Sequence, residues 1–149
     1  MPEKEPEVTV RRMTEDDFDA VLALGGGVIS RADLYLWEPG GPLDMSFIAE
    51  VDGYIIGFDL AHIQYFGIPI TKVCVISGIV VEHEYRRHGI GNKLVEKVFK
   101  SCQEKDVSTV RALVVDGDVR LLHFAEQLGF QRSTVTNYDK IVHNGYQDS

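Results

Sequence analysis

The stretch that decides the fold runs from Val73 to Lys100 and reads VCVISGIVVEHEYRRHGIGNKLVEKVFK. Its first nine residues are apolar except for one serine and one glycine, and they are rich in β-branched side chains. Such a run is typical of a strand that is buried on both faces. From Ile90 onward apolar residues recur every four positions, as in an amphipathic helix. The sequence therefore predicts a central strand and a helix, joined by a short polar turn that contains Gly89 and Gly91.

This turn has the chemistry of an anion-binding site. The first N–H groups of a helix have no intrahelical acceptor, and the helix dipole places partial positive charge there. Glycines at the turn let a phosphate approach the backbone, because no Cβ is in the way. Between Arg86 and Lys105 six basic residues outnumber two acidic ones, although the whole chain has a net charge of -8. Positive charge is therefore concentrated where phosphates would lie.

The rest of the chain predicts an α+β fold with a mixed, mostly antiparallel sheet. Helical spacing predicts a helix after Thr14, a short one at Arg31–Trp37 and a late one at Val119–Leu128, which Asp118 caps. Ser108–Val115 should lie parallel to the central strand because a helical crossover joins the two. The last two predicted strands form an antiparallel pair. The predicted strands are Val8–Met13, Met45–Val51, Tyr54–Tyr65, Ile70–Val81, Ser108–Val115, Phe130–Thr136 and Tyr138–His143.

Composition limits the classes of protein that this chain can represent. A disordered lead-in at residues 1–7 and a single domain at residues 8–149 are expected from length and composition. No apolar run approaches the ~18 residues of a membrane span, and the acidic start does not resemble a signal peptide. Cys74 and Cys102 lack the spacing of a metal site. A sequence pI near 5.0 argues against nucleic-acid binding and suits a positively charged partner. We therefore expect a cytoplasmic protein without metal, membrane or nucleic acid.

The pattern Arg86-x-x-Gly89-x-Gly91 resembles the R/Q-x-x-G-x-G/A signature of the GNAT superfamily of N-acetyltransferases. The preceding strand, the following helix and the late Glu126–Phe130 helix ending fit the same family, so the resemblance spans roughly residues 8–142. It implies an α/β/α layered fold in which the parallel strand pair splays apart and acetyl-CoA wedges into the opening.

The resemblance also implies which residues bind this cosubstrate. The backbone of Ile79, Val80 and Val81 would bind the pantetheine arm, although the same residues also fit a plain core strand. Arg86 holds the signature position, and both neighbouring arginines could instead be solvated. Asp118 stands where the family often has an asparagine, so it is a cofactor-binding candidate as well as a cap. The residues expected around the pyrophosphate are Arg87, His88, Gly89, Ile90, Gly91 and Asn92.

The implied reaction is attack of a neutral amine on a thioester carbonyl, which needs a base, an oxyanion donor and an acid. A backbone N–H near Val81 is the expected oxyanion donor. Two side chains that relatives often use are missing, since the late-helix tyrosine position is Ala125 and the strand glutamate position is Leu113. The expected replacements, each of which also fits a plain surface residue, are Glu82, His83 and Tyr138.

The leading hypothesis is an acetyl-CoA-dependent N-acetyltransferase that acts on a small-molecule amine, a peptide N-terminus or a protein lysine. The alternative is a catalytically silent acyl-CoA-binding or sensing domain. A dinucleotide-binding domain fails because Leu94, not glycine or alanine, stands three residues after Gly91. Homodimers are common in the family, and no residue here demonstrates one. Negative and aromatic side chains between Val28 and Pro42 would suit a cationic acceptor, although the aromatic ones equally fit packing of this loop onto the core; these residues are Asp33, Tyr35, Trp37 and Glu38.

Overall fold

The computed structural model describes residues 7–27, 29–35 and 45–143. Trp37 and Glu38, like most of the expected lead-in, lie outside the described residues. The strands are β1 (Thr9–Arg12), β2 (Phe47–Val51), β3 (Tyr54–Phe66), β4 (Thr71–Val81) and β5 (Val110–Ala112). The helices are α1 (Phe18–Gly25), α2 (Arg31–Tyr35), α3 (Ile90–Glu104) and α4 (Val119–Gln127), with 3₁₀ turns at Glu15–Asp17 and His83–Tyr85.

The five strands form one sheet in the order β1-β2-β3-β4-β5. The first three pairings are antiparallel, and β4 pairs with β5 in parallel across the α3 crossover. The predicted mixed, mostly antiparallel sheet is therefore confirmed. The chain forms two compact units, one that ends at Val115 and contains the sheet, and one that begins at Asp116 and contains α4. No helix in the described part of the chain is long and apolar enough to cross a membrane.

One face of the sheet packs against α1 and α2. Alternate residues of a strand point to opposite faces, so Phe58 and Leu60 of β3 share this face while Asp59 between them points to the other. These two side chains meet apolar residues of both helices and of β2. The buried cluster consists of Met13, Phe18, Val21, Leu34, Ile48, Phe58 and Leu60.

The opposite face packs against α3, whose buried apolar residues recur at helical spacing: Ile90, Leu94, Val95, Val98 and Cys102. Gly57 of β3 lets the first turn of α3 come close. A Cβ at Gly57 would lie 3.2 Å from Ile90 Cγ2 and 3.2 Å from the Val80 carbonyl oxygen. The absence of a side chain at this position therefore fixes how closely the start of α3 approaches the sheet.

Side chains extend the contact between β2 and β3 beyond their regular pairing. The Phe47 N–H donates to Oδ1 of the fully buried Asp59 over 3.0 Å. The Ser46 hydroxyl accepts from the Ala61 N–H at 3.2 Å and donates to the Ala61 carbonyl at 3.4 Å. Polar side chains thus satisfy backbone groups that the strand ladder leaves unpaired in the core.

A partly buried ion pair joins β1 to the turn before α1. Arg11 donates from both terminal nitrogens to the carboxylate of Asp17, over 2.8 and 2.9 Å, and its Nε donates to Glu50 at 3.3 Å. The Thr14 N–H also donates to Asp17, at 2.8 Å. Burial alone would raise the pKa of Asp17, but the hydrogen bonds from Arg11 and Thr14 outweigh it, so that pKa lies below its usual value.

The end of the sequence departs from prediction. The predicted strands Phe130–Thr136 and Tyr138–His143 are wrong, because residues 130–143 form no strand. Residues 131–143 are exposed, and their apolar members do not alternate, so the segment has no single apolar face to bury. The predicted strand Ser108–Val115 is also too long, since β5 spans only Val110–Ala112. The late helix α4 ends at Gln127, one residue before the predicted Leu128, and Gly129 follows it at a left-handed φ of 90°.

Replacing Gly57 with alanine should destabilise the fold by about 1–3 kcal/mol, because the new methyl group overpacks the contact between β3 and α3. Gly78→Ala is the matched control, since a Cβ there meets no atom within 4 Å. The free energy of unfolding in urea measures both. Equal stability of the two variants would contradict the close contact.

The Asp17 ion pair should make stability depend on pH. The folded-state pKa of Asp17 is depressed, so its contribution is complete above the unfolded pKa of about 3.9 and is lost as the pH falls through the folded pKa. Asp17→Asn should lower the free energy of unfolding by about 2 kcal/mol at pH 7, with a smaller deficit in acid. The exposed neighbour substitution Asp16→Asn is the control. A deficit that does not change with pH would refute this assignment.

Candidate active site at the end of β4

The parallel pair opens part-way along β4. Pairing with β5 involves only Cys74, Val75 and Ile76, whereas β4 continues to Val81. The register against β3 also shifts here: Leu60 lies opposite Gly78, and Ala61 lies opposite Ile76. Ser77 is therefore an extra residue in β4, and such a bulge bends a strand. The predicted splay is confirmed, and it begins at this bulge.

The peptide groups at the open edge can be assigned from the hydrogen bonds to β3. The Glu82 N–H donates to the Ile56 carbonyl at 2.8 Å. Successive residues of an antiparallel strand direct their N–H and C=O groups to alternate sides. Glu82 and Val80 therefore direct these groups toward β3, and Ile79 and Val81 direct theirs toward the open edge. An extended ligand along this edge would meet the peptide groups of Ile79 and Val81.

A compact turn follows β4. Tyr85 N–H donates to the Glu82 carbonyl at 2.9 Å, and Arg86 N–H donates to the His83 carbonyl at 3.2 Å. The Arg86 side chain folds back over this turn, where its Nε donates to the Val81 carbonyl at 3.1 Å. The turn is thereby tied to the open edge of the strand.

The backbone then presents N–H groups at the start of α3. Arg87 and Gly89 both adopt left-handed φ values, 71° and 72°. The first helical hydrogen bond of α3 runs from the Lys93 N–H to the Gly89 carbonyl at 3.1 Å, and no side chain caps the helix start. The N–H groups that precede Lys93, from Ile90 to Asn92, therefore have no acceptor within the helix, which is the arrangement that anion sites at helix starts use.

The left-handed conformation of Arg87 is a feature that the sequence did not predict. Such a conformation costs a residue with a side chain on the order of 1–3 kcal/mol, and strain of this kind clusters at functional sites. A Cβ at Gly89 would meet no atom within 4 Å, so packing does not require glycine there. The left-handed conformation at this position favours glycine, and a glycine also leaves the backbone open to approach.

The structure brings two of the three catalytic candidates to this edge. Glu82 is half-buried directly after β4, and His83 is exposed in the 3₁₀ turn. Tyr138 belongs to the second unit, where it is 92% exposed. Asp118, also in that unit, caps α4 by accepting from the Leu121 N–H at 3.1 Å. Within the described ranges no group of three or more potential metal-ligating side chains lies together.

The positions of the missing family side chains are also visible. Leu113 is 70% exposed just after β5, and Ala125 is half-buried in α4.

Asp33, an expected acceptor contact, has a structural role. Its carboxylate accepts from the Ser30 N–H at 2.8 Å, while its own N–H donates to the Ser30 hydroxyl at 3.2 Å. This reciprocal pair forms a cap at the start of α2.

Comparison with known proteins matches this architecture to a family. Residues 12–130 match the acetyltransferase (GNAT) family. The chain belongs to this family. It is 26% identical over 140 residues to an uncharacterized N-acetyltransferase of Methanocaldococcus jannaschii, and this alignment covers 85% of this chain and 62% of that protein. It is 29% identical over 97 residues to the thialysine N-epsilon-acetyltransferase of Bos taurus, and this alignment covers 65% of this chain and 50% of the relative. The chain thus spans only half to three fifths of the length of these GNAT relatives.

Solved structures share the GNAT fold. The aminoglycoside N-acetyltransferase AAC(6')-Iy in complex with CoA has a TM-score of 0.80 at 19% identity, and the match covers 96% of this chain and all of that one. A possible acetyltransferase from Clostridium difficile has a TM-score of 0.77 at 15% identity, over 94% of this chain and all of that one. At these identities the similarity establishes the fold.

Two Gly89 variants separate backbone strain from blocked approach at the GNAT turn. Alanine at a left-handed position should cost about 1 kcal/mol of stability, and asparagine less, since asparagine tolerates this conformation. Both add a side chain where phosphates would approach, so both should weaken binding of coenzyme A on the order of tenfold. Calorimetric titration and thermal melting measure the two effects. An asparagine variant with unchanged affinity would contradict a bare-backbone site.

Proposed function

We propose that this chain is an acetyl-CoA-dependent N-acetyltransferase that transfers an acetyl group to an amine. The observation that carries the proposal is the juxtaposition at the end of β4. An open strand edge at Ile79 and Val81 leads, over one short turn, to the N–H groups that begin α3. In coenzyme A an extended arm that contains amides, pantetheine, is joined to a diphosphate, and the strand edge and the helix start match these two kinds of hydrogen-bonding group.

The residues present fit this cosubstrate. The N–H and C=O groups of Ile79 are suited to the amides of pantetheine, and the N–H of Val81 lies further along the same edge. The turn from Arg87 to Asn92 offers backbone donors, left-handed geometry and basic side chains to the diphosphate. The positive dipole end of α3 adds to this attraction. Acetyl-CoA would supply an activated thioester, and the protein would hold it straight along β4.

The open edge also provides a means of stabilising charge. The Val81 N–H points to this edge, so it is suited to donate to a developing oxyanion, an interaction worth ~3 kcal/mol in other enzymes. The amine must first lose its proton, because a lysine-type amine has a pKa of about 10.4. Glu82 is our proposed base, since it is half-buried and follows Val81 directly. His83, acting directly or through water, and Tyr138, as an acid, are the further catalytic candidates.

For the acceptor we propose a cationic amine. Curated relatives include enzymes named for thialysine and for L-ornithine, and solved relatives include aminoglycoside acetyltransferases. The net charge of -8 would favour approach of a cation. Apart from the basic turn and α3, the chain is strongly acidic, so the cosubstrate and the acceptor would be attracted to differently charged parts of the protein.

We further propose that residues 8–149 act as one domain in the cytoplasm, as a homodimer. Cys74 and Cys102 are buried and unbridged, which suits a reducing compartment. The homodimer rests on how often proteins of this family form one, and light scattering of the purified chain would measure it.

The test is release of free thiol from acetyl-CoA in the presence of an amine panel that includes thialysine, ornithine and aminoglycosides. We expect thiol release with at least one cationic amine. Loss of a general base commonly costs 10²–10⁴-fold, so Glu82→Gln should reduce kcat about 10²-fold without loss of CoA affinity. Glu84→Gln removes the same charge from an exposed site two residues away and serves as the control.

Three outcomes would count against this assignment. Binding of CoA without thiol release for any amine would instead indicate a catalytically silent acyl-CoA-binding domain. Equal losses in the Glu82 and Glu84 variants would remove Glu82 as the base. Absence of CoA binding at millimolar ligand would overturn the function altogether.

A further inference from the structure

Arg86 makes a contact that its position in the signature does not require. Its Nε donates to the Val81 carbonyl at 3.1 Å, five residues back along the chain. That carbonyl is one of the groups at the open edge of β4, because the neighbouring Glu82 N–H is directed to β3. The signature arginine thus contacts the strand edge itself.

This contact fixes the peptide between Val81 and Glu82 from both sides. The Glu82 N–H donates to the Ile56 carbonyl at 2.8 Å, and the carbonyl of the same peptide accepts from Arg86. A peptide is planar, so two hydrogen bonds at its opposite ends define its orientation. Without Arg86, only the bond to β3 would hold the last peptide of the strand.

The chain between these residues is short and internally bonded. Tyr85 and Arg86 donate their N–H groups to the carbonyls of Glu82 and His83, which closes the 3₁₀ turn. The guanidinium therefore reaches back from a hydrogen-bonded turn. Arginine suits this task because its donors have fixed directions.

We propose that Arg86 is a positioning residue, which sets the open edge of β4 for the pantetheine arm, rather than a ligand of the diphosphate. This inference rests on the proposed function, since it gives the Arg86 side chain a part in that site. Arg86 is exposed, so water competes for its bond and the effect is modest. A net hydrogen bond of this kind corresponds to roughly three- to tenfold in affinity.

The two possible roles of Arg86 predict opposite responses to the two halves of coenzyme A. Pantetheine carries the amide chain without any phosphate, and 3′-phosphoadenosine 5′-diphosphate carries the phosphates without the amide chain. A positioning residue acts on the first ligand, whereas a phosphate-binding residue acts on the second.

The experiment is a titration of the full chain with each half, followed by the amide resonances of ¹⁵N-labelled protein. Arg86→Ala and Arg86→Lys are compared with the wild type. Lysine keeps the positive charge but lacks the Nε donor in its fixed place. Lys100→Ala, which removes one charge from the exposed side of α3, is the control for general electrostatics. Thermal melting confirms that each variant is folded.

We expect both Arg86 variants to lose roughly three- to tenfold in affinity for pantetheine. The phosphate half should lose no more with Arg86→Ala than with Lys100→Ala, and Arg86→Lys should bind it as the wild type does. An equal or larger loss for the phosphate half than for pantetheine would overturn the proposal, as would unchanged pantetheine affinity. No turnover is needed, so a chain that binds both halves without transferring an acetyl group would refute the proposed activity and not the role of Arg86.

Discussion

The site depends on one constraint: the backbone groups of a strand need hydrogen-bond partners, and β4 extends beyond the end of the neighbouring strand β5. Burying an unpaired N–H or C=O group costs about as much as a lost hydrogen bond. After Ile76 the pairing with β5 ends, yet β4 keeps extended geometry to Val81 because β3 still holds its other edge. The outer edge is therefore left as a row of donors and acceptors beside an opening. An extended amide ligand is the natural partner for such a row.

Packing of α3 on the sheet, on the face opposite α1 and α2, holds the rest of the site in place. The apolar stripe of α3 buries five residues against the strands, and Gly57 lets Ile90 approach β3 closely. Because Ile90 is the first residue of α3, this contact also places the helix start and its N–H groups next to the end of β4. The Arg86 side chain then ties the intervening turn to Val81. Core packing and one polar contact thus set the spacing between the open edge and the turn before α3.

Much of this could be predicted from sequence because the signals are local. The β-branched run before the turn, the four-residue repeat after it and the two glycines together predicted β4, α3 and the anion-binding turn. The splayed parallel pair was predicted from the family resemblance. The bulge at Ser77 and the direction of each peptide group could not be predicted from the sequence, because both depend on the register of β4 against β3. The prediction of a final strand pair failed. The β-branched and aromatic residues of this segment favour strands, but residues 131–143 have no single apolar face that a sheet could bury.

The central claim is that the edge of β4 and the turn before α3 bind one molecule of acetyl-CoA in a defined orientation. A crystal structure of the chain with coenzyme A tests it most directly. The account predicts pantetheine amides hydrogen-bonded to the peptide groups of Ile79, the thiol end of the arm beside the Val81 N–H, and diphosphate oxygens hydrogen-bonded to N–H groups between Arg87 and Asn92. A ligand bound away from this edge, or phosphates held by side chains alone, would contradict it.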